Sequence, residues 1–351
     1  MFLYYTESGG GVDGDDNNGV APAGNRLYRY ELQDNHLVHP KLLLDLPAEP
    51  GNATQKILGR YIGGPIVVGR DGFVYVIIGD VDGHKGQVQN FARGSPPDGT
   101  SGVLRVGKNG EIPPSIIGTG TFAKYYYAYG IRNSFGMTID PVTGKLWDTE
   151  NGPTRGDEIN LIDAGFNSGW RKVFGMASSE DLRGLVLFNA KSHYRDPEFT
   201  WNETVGPTGI TFLNSNTLGK QYKNSLFVGD YNHGAIYRFE LNKTRTGFVL
   251  GGDLADKVAN TQNETADITF GTGFGSITDL YAGPDGNLYV VSYGGGAIYK
   301  ITTESASTST SSSSRSPSDN TMPPDNDNNN AKVPKAPKNP DFQPPPSLKR
   351  K

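Results

Sequence analysis

The sequence predicts an all-β protein, specifically a β-propeller, from its composition, a recurring strand–turn–strand phrase and the wide spacing of that phrase. The 351 residues include 47 Gly, 18 Tyr and 16 Phe but only 4 Met, which favours aromatic strands joined by glycine turns over helices. Repeats that cannot bury their faces alone, with long loops gathered on one side, suit a propeller whose loops build a site. A β-sandwich is the alternative fold.

The recurring phrase is a short alternating strand, a turn and a second strand that contains aromatic residues. It occurs four times, as PIVVGRDGFVYVIIGD (65–80), SFGMTIDPVTGKLWDTENG (134–152), GITFLNSNTLGKQYKNSLFVGDY (209–231) and ITDLYAGPDGNLYVVSYG (277–294). Each copy predicts two antiparallel strands joined by a turn, plus a third strand, and the blades of the propeller are expected to be four-stranded and antiparallel. The turns lie at Gly72, Gly144, Asn224 and Gly286, which are 72, 80 and 62 residues apart. This spacing exceeds a typical blade of about 40–50 residues, so each unit is expected to carry long loops.

The two ends of the chain lead to separate expectations. The residue pattern of Phe2–Thr6 is typical of a β-strand, and this strand starts at the first residues of the sequence. A propeller lacking about one N-terminal blade is therefore expected, with about five blades and an imperfectly closed ring. The propeller is expected to occupy residues 1–301. Residues 302–351 are rich in Ser, Asn, Pro and Lys. Such a segment buries too little apolar surface to offset its ordering entropy, which predicts a disordered tail.

Charge and composition exclude several classes of function. The net charge is −4, and from Thr302 onward seven Lys/Arg face five Asp/Glu, so residues 1–301 carry about −6. Nucleic acid is therefore not an expected partner, since binding it requires a basic face. The chain contains no cysteine, which excludes disulfides and thiol chemistry. No apolar stretch reaches eighteen residues, so no membrane-spanning segment is predicted.

One stretch, residues 127–170, concentrates polar side chains beside turn glycines. Its three clusters are Arg132-Asn133, Glu150-Asn151-Gly152-Pro153 and Asp157-Glu158-Ile159-Asn160. Oxygen ligands beside free carbonyls suit a hard cation such as Ca²⁺, and an Arg-Asn pair can fix a carboxylate or quinone oxygen. Hydrogen bonds between loops of neighbouring blades explain the same residues equally well, so the spacing alone leaves both interpretations open.

The same stretch resembles the signature of the soluble quinoprotein glucose/sorbosone dehydrogenases. The four blocks of that signature occur in order, as GIRNSFG, LWDTENGP, DEIN and GFNSGW. Weaker similarity extends from about Gly59 to Thr302. The resemblance implies a six-bladed propeller that holds pyrroloquinoline quinone (PQQ) next to Ca²⁺ and oxidises aldose sugars at C1. It further implies a small-molecule sugar or alcohol substrate, an electron acceptor and an extracellular or cell-surface location.

The resemblance also assigns roles to individual residues. Arg132 and Asn133 would contact the cofactor, and the carbonyls of Gly152 and Pro153 would face Ca²⁺. The remaining positions are Asn151, which stands beside these carbonyls in place of the more usual Gln, and Asp80, which would lie near the substrate.

Several positions depart from the family pattern. Tyr61 stands where the family has its catalytic His, and a phenol of pKa near 10 is a poor base at neutral pH. Asn232 replaces a quinone-binding Lys, and Ser276 and Thr278 replace two Arg. Losing cations would weaken the binding of a tricarboxylate. Other residues on neighbouring loops could compensate, with His84 or His233 as base and Lys85 or Arg93 as cation.

Two functions therefore follow from the sequence. The first is a quinone- and calcium-dependent dehydrogenase acting on aldoses or related alcohols. The second is a catalytically inactive propeller that binds a carbohydrate or a protein. The propeller fold alone does not choose between them.

Overall fold

The structure is a computed structural model that describes residues 1–8, 22–48, 63–81, 83–189 and 191–303. Tyr61 lies outside these residues, and so does the expected tail apart from Thr302 and Thr303. The described part is built almost entirely of strands, with one four-residue α-helix, Ser179–Leu182, and short 3₁₀ turns. None of its helices is long and apolar enough to cross a membrane.

The strands run in chain order from β1 to β21. The first ten are β1 (Phe2–Ser8), β2 (Pro22–Gln33), β3 (His36–Leu46), β4 (Ile66–Val68), β5 (Phe73–Ile78), β6 (Gly102–Gly107), β7 (Tyr126–Tyr129), β8 (Ser134–Ile139), β9 (Leu146–Glu150) and β10 (Asp157–Ile162). The others are β11 (Phe166–Asn167), β12 (His193–Tyr194), β13 (Phe199–Trp201), β14 (Pro207–Phe212), β15 (Leu226–Asp230), β16 (Ile236–Phe239), β17 (Val258–Ala259), β18 (Thr269–Gly271), β19 (Ile277–Ala282), β20 (Leu288–Ser292) and β21 (Ala297–Ile301).

These strands form five sheets, which we call blades 1 to 5. Their strand orders are β1-β2-β3, β12-β11-β7-β6-β5-β4, β17-β13-β10-β9-β8, β14-β15-β16-β18 and β19-β20-β21. The expectation of uniformly four-stranded antiparallel blades was too simple. In blades 2 and 3 the long loops add short edge strands, and three of these pairings are parallel: β11 with β7, β11 with β12, and β13 with β17.

Blades pack face to face because their strands are apolar on both sides. Along β5, Val74 and Val76 join an apolar cluster with Leu27 of blade 1, whereas Ile77 joins a cluster with Met137 of blade 3. This alternation follows from the period of two in a strand. A single two-sheet sandwich is thereby ruled out, and the predicted propeller architecture is confirmed.

Four apolar clusters lie between successive blades of the described chain. They join blade 1 to 2, blade 2 to 3, blade 3 to 4 and blade 4 to 5. Blades 1 and 5 also carry exposed apolar side chains, including Leu42 on blade 1 and Tyr281 and Ile298 on blade 5. The described residues thus form five blades, the number that the sequence predicted.

Two glycines allow the innermost strands to approach one another. A Cβ atom on Gly136 of β8 would lie 2.2 Å from the carbonyl oxygen of Thr208 in β14. A Cβ atom on Gly209 of β14 would lie 2.3 Å from the backbone nitrogen of Leu280 in β19. No real side chain tolerates such distances, so both positions require glycine. The strands that meet here carry loops that line the candidate site.

Candidate functional site

A cavity of about 410 Å³ opens where the loops of blades 3, 4 and 5 meet. Its volume lies within the range of small-molecule sites in proteins. Eight residues that the sequence singled out line it together: Arg132, Asn133, Asn151, Gly152, Pro153, Asp157, Asn232 and Thr278. The rest of the lining is Phe135, Thr204, Gly206, Thr208 and Tyr231. The motif blocks therefore converge on one pocket.

Arg132 is the one cationic residue among the described residues that line the cavity, and several contacts fix its position. It lies between β7 and β8 and is only 8% exposed. Its backbone N–H donates to Oε1 of Glu150 at 2.7 Å. Its Nη1 donates to the carbonyl oxygens of Asn151 at 2.8 Å and Gly152 at 3.0 Å. The guanidinium also lies over the ring of Trp170, 5.3 Å from its centroid. These contacts fix a positive charge at one side of the pocket.

Asp157, the first residue of β10, ties two loops of the pocket together. Its Oδ1 accepts the backbone N–H of Gly152 at 2.8 Å, and its Oδ2 accepts those of Val205 at 2.7 Å and Gly206 at 2.8 Å. Burial raises the pKa of this carboxyl to about 6, although the three backbone N–H groups and Arg132 act to lower it. The sequence marked Asp157 only as part of a polar cluster. The structure identifies it as a positioning residue.

We expect Asp157→Asn to destabilise the fold by about 2–3 kcal/mol and to weaken ligand binding in the pocket. The substitution places an NH₂ group against at least one backbone N–H that then has no acceptor, and an unsatisfied buried donor carries this cost. Urea unfolding monitored by tryptophan fluorescence measures the stability change. Asp267→Asn changes an exposed carboxylate in the same way and should be neutral. Equal stability of both variants would contradict the prediction.

A block of buried carboxylates lies on one face of blade 3 beside Arg132. In the β9–β10 register, Asp148 faces Asn160 and Glu150 faces Glu158, and all four are at most 5% exposed. Ser168 Oγ donates to Glu150 Oε2 at 2.7 Å. Neither carboxylate oxygen of Asp148 accepts a well-formed hydrogen bond among the described residues. The face therefore concentrates buried carboxyl groups whose hydrogen bonding is incomplete among the described residues.

Burial is the main cause of raised pKa values in this block. It raises the pKa of Glu150 to about 7, against the lowering effect of the Arg132 backbone N–H and Ser168. Burial and then the neighbouring Glu150 carboxyl raise the pKa values of Asp148 and Glu158 well above their usual range. At neutral pH the block is consequently held partly protonated.

We expect the stability of the protein to fall as the pH rises from about 4 to 7 and beyond. Between the unfolded pKa of a carboxyl, about 4, and its raised folded pKa, the folded state binds more protons, so its stability decreases with pH. Asp148→Asn should reduce this slope and raise the melting temperature at pH 8. The matched control is Glu240→Gln, an exposed carboxylate. Melting curves from pH 5 to 8 test this, and parallel slopes for all three proteins would contradict it.

The other predicted residues are placed as follows. Asn232 lies in the pocket and donates its Nδ2–H to the Thr204 carbonyl at 3.0 Å. Asp80 is adjacent, since its backbone N–H donates to the Arg132 carbonyl at 2.9 Å. Its carboxylate accepts the indole N–H of Trp170 at 2.8 Å and is not part of the pocket lining.

The histidines and additional cations that the sequence proposed do not line the pocket. His84 Nδ1 lies 2.8 Å from Asp98, and His233 Nδ1 lies 3.1 Å from Asp230. Ser276, Lys85 and Arg93 are likewise absent from the lining. The Tyr61 prediction falls outside the described residues. Of the compensating residues proposed from sequence, none reaches this pocket.

Two aromatic residues of the pocket were missed by the sequence reasoning. Phe135, which follows the Arg-Asn-Ser run, is 50% exposed, and Tyr231, which precedes Asn232, is 41% exposed. Both line the cavity. An aromatic directly beside each polar motif was the available signal, but its exposure became apparent only in the folded chain.

The chain has sequence relatives that are described as sugar dehydrogenases. The chain is 30% identical over 244 residues to aldose sugar dehydrogenase YliI of Escherichia coli, covering 67% of this chain and 57% of that protein. It is 30% identical over 340 residues to quinoprotein glucose dehydrogenase B of Acinetobacter calcoaceticus, covering 78% of this chain and 66% of that protein. The chain thus spans less than two thirds of either relative.

The fold comparison agrees with these matches. The PQQ-bound form of aldose sugar dehydrogenase from Streptomyces coelicolor superimposes with a TM-score of 0.54 at 21% identity, covering 83% of this chain and 68% of that one. At this identity the likeness shows a shared fold. The model of the family described as "Glucose / Sorbosone dehydrogenase" matches residues 1–300. Because this match covers the propeller and includes every block of the pocket, the chain belongs to the glucose/sorbosone dehydrogenase family.

Proposed function

We propose that this chain is part of a PQQ-linked dehydrogenase that oxidises an aldose sugar or related alcohol at its C1 hydroxyl. The observation that carries the proposal is the convergence of the three polar motif clusters on one cavity of about 410 Å³. Membership of the family and the similarity to a quinoprotein glucose dehydrogenase support the same substrate class.

The residues of the pocket fit a planar anionic cofactor. Arg132 supplies a fixed cation for a carboxylate, and charge-assisted hydrogen bonds of this kind are the strong ones. The half-exposed rings of Phe135 and Tyr231 offer apolar faces to a flat ring system. The Oδ1 atom of Asn133 is buried and lacks a hydrogen-bond partner among the described residues, so it can accept a donor from a ligand. The chemistry that PQQ supplies when bound is hydride acceptance at the quinone.

The side chains of the described residues do not define a calcium site by themselves. The sequence resemblance places calcium against the carbonyls of Gly152 and Pro153, and the hydrogen bond that the Gly152 carbonyl accepts from Arg132 uses one of its two lone pairs. In addition, no three acidic or histidine side chains of the described chain are grouped as a metal site. No step of the proposed reaction is therefore derived through calcium.

Proton removal from the sugar hydroxyl requires a base that Asp157 does not provide. It is the one carboxylate in the described lining of the pocket. Both of its oxygens already accept backbone N–H groups, which leaves them poorly placed to accept a proton from substrate. Asp157 is accordingly a positioning residue in this proposal.

A second function, ligand binding without oxidation, is favoured by the charge of the pocket. Among its described lining residues Arg132 is the one cation, and Asn232 and Thr278 stand where the sequence resemblance implies further cations. PQQ carries three carboxylates, so a single cation leaves much of its charge uncompensated. A propeller with this pocket could hold a neutral carbohydrate instead.

The experiment that separates the two functions is a titration of PQQ into the purified chain, followed by absorbance. The dehydrogenase proposal expects stoichiometric binding at micromolar concentration, and Asn232→Lys should bind at least tenfold more tightly because it adds a cation to the lining. Asn214→Lys, at an exposed position outside the pocket, should leave affinity unchanged. Reduction of an added dye by aldoses then tests turnover. Failure of both the native chain and Asn232→Lys to bind PQQ would favour the second function.

A further inference from the structure

A second cavity, of about 310 Å³, lies between the hairpin turns of blades 2 and 3. We call it the turn-side cavity, and its polar lining includes Arg70, Asp71, Tyr127, Thr143, Lys145 and Asp163. The candidate site lies at the opposite ends of the same strands, because Arg132 and Asn133 precede β8 and Asn151 follows β9. β8 has six residues, which at ~3.3 Å per residue separates the two cavities by roughly 20 Å.

Arg70 provides a cation that is fixed in place at the rim of the turn-side cavity. It lies in the β4–β5 turn of blade 2 and donates from its guanidinium to the carbonyls of Pro141 and Val142 in the β8–β9 turn of blade 3, the second at 3.2 Å. It also packs across Gly144, where an added Cβ would lie 2.9 Å from Cδ of Arg70. A guanidinium has five N–H donors, so three of them remain for a ligand.

Two further polar groups of the lining are available to a ligand. The half-buried ammonium of Lys145 forms neither a hydrogen bond nor an ion pair with any residue that the structure describes. The hydroxyl of Tyr127, also half-buried, likewise has no hydrogen-bond partner in the described ranges. A second cation and a group that can donate or accept a hydrogen bond therefore line the same cavity as Arg70.

The two carboxylates of the lining are already compensated by cations from outside it. Asp71 lies 3.6 Å from Nη1 of Arg105, and Asp163 lies 3.2 Å from Nη1 of Arg195. Neither arginine is part of the lining. The arginine and the lysine of the lining consequently leave an excess of positive charge, which favours an anionic ligand.

The inner wall of the turn-side cavity is apolar. Tyr75 of blade 2 and Leu146 and Ile162 of blade 3 line it and belong to the apolar cluster between these blades. All three are buried, so they present a fixed surface to the body of a ligand. A cavity of this size with an apolar wall and a few polar groups at its rim is typical of a small-molecule site.

We propose that the turn-side cavity is a second binding site, for a sugar acid, that is, a pyranose ring bearing one carboxylate. Arg70 and Lys145 hold the carboxylate, for which an arginine fork is well suited. Tyr127 forms a hydrogen bond with a ring hydroxyl, and the C–H face of the ring packs on the apolar wall. The inference does not depend on the proposed function, because the two cavities share no lining residue.

The first test is calorimetric titration of the native chain with D-glucuronate in a buffer of low ionic strength. We expect one equivalent to bind at millimolar concentration or below. Lys145→Met should weaken binding at least fivefold, and its folding should be unaffected because the ammonium has no partner among the described residues. The matched control is Lys243→Met, at an exposed position outside both cavities, which should bind as the native chain does. Binding that is absent at 20 mM, or that is equal in both variants, would overturn the proposal.

Two further ligands test the chemical class. Glucose has the ring without the carboxylate, and benzoate has a ring and the carboxylate without the hydroxyls. Both should bind the turn-side cavity at least fivefold more weakly than glucuronate, measured as the part of the binding that Lys145→Met removes. Benzoate binding as tight as that of glucuronate would overturn the assignment to sugar acids.

The second test locates the ligand and separates this inference from the proposed function. Crystals soaked in 50 mM glucuronate should show the carboxylate within hydrogen-bond distance of Arg70 and Lys145, and density in the candidate site alone would refute the inference. Lys145→Met should bind PQQ with the affinity of the native chain. Failure of PQQ to bind would thus reject the proposed cofactor and leave the second site standing, whereas loss of glucuronate binding alone would leave the dehydrogenase proposal standing.

Discussion

Replacing Arg245 with methionine is expected to lower the free energy of unfolding by about 3–5 kcal/mol, the usual cost of removing one partner of a buried ion pair. Arg245 donates from Nε to Oδ2 of Asp140 at 2.7 Å and from Nη2 to Oδ1 at 2.8 Å. Asp140 is fully buried and lies in the turn after β8 of blade 3. Arg245 lies after β16 of blade 4 and also donates to the Asn224 carbonyl. The substitution therefore leaves the buried Asp140 carboxylate without its arginine partner and removes a link between two blades.

The pKa of Asp140 shows how strongly this pair depends on the arginine. Burial acts to raise it, yet hydrogen bonds from Arg245 and Thr143 outweigh burial and hold the pKa below its usual value. A carboxyl with a lowered folded pKa contributes stability above the unfolded pKa, and this contribution is lost as the pH falls through the folded pKa. The effect of Arg245→Met should consequently be full at pH 7 and diminish in acid.

Urea unfolding of the native chain and Arg245→Met measures the loss. Arg183→Met is the matched control, because Arg183 pairs with Glu180 at 3.9 Å on an exposed surface where ion pairs contribute little. The double variant Arg245→Met, Asp140→Asn should recover part of the loss, since it no longer buries an unpaired charge. A change below 1 kcal/mol for Arg245→Met would show that the pair is not a structural link.

Gly136→Ala is expected to destabilise the protein by about 3 kcal/mol or more, at the upper end of the usual cost of overpacking. The added Cβ would lie 2.2 Å from the Thr208 carbonyl oxygen and 2.8 Å from Cγ2 of Ile210. The first neighbour is backbone of the adjoining blade and cannot rotate away, so β8 and β14 must separate. Because Arg132 and Asn133 directly precede β8, the pocket should be displaced as well.

Thermal unfolding and PQQ titration together test this prediction. The control is Gly251→Ala, since Gly251 has extended backbone and no atom lies within 4 Å of the place that its added methyl group would occupy. We expect a lower melting temperature and weaker ligand binding for Gly136→Ala and neither change for Gly251→Ala. Equal melting temperatures for the two variants would mean that the blades are packed more loosely around the axis than these distances require.

The repeats allowed much of the fold to be predicted from the sequence. The turns proposed at Gly72, Gly144 and Gly286 join β4 to β5, β8 to β9 and β19 to β20, and all three glycines have positive φ, between 77° and 85°. Asn224, the fourth, has φ of 60°. Local patterns of alternation and turn chemistry determine these hairpins, so one sequence suffices to find them. The short parallel edge strands have no such local pattern and were not predicted.

The site was predictable only in its motifs. Arg132, Asn133 and Gly152 could be proposed because each belongs to a short motif block. The role of Asp157 depends on hydrogen bonds from Val205 and Gly206, which lie 48 and 49 residues further along the chain. The contact of Arg132 with two carbonyls depends on the conformation of a long side chain. Contacts of this kind are set by tertiary packing, which residue spacing does not encode.

The linear succession of inter-blade clusters has a consequence for local stability. When each unit packs only against its neighbours, the free energy of opening a unit grows with the number of interfaces that must be broken. In the described chain, blades 1 and 5 share one apolar cluster each, whereas blades 2, 3 and 4 share two. Amide protons of β9, β10 and β15 should therefore exchange with solvent far more slowly than those of β1 and β21. The pocket draws most of its lining from blades 3 and 4 and Thr278 from blade 5, so fraying of blade 1 leaves its geometry intact.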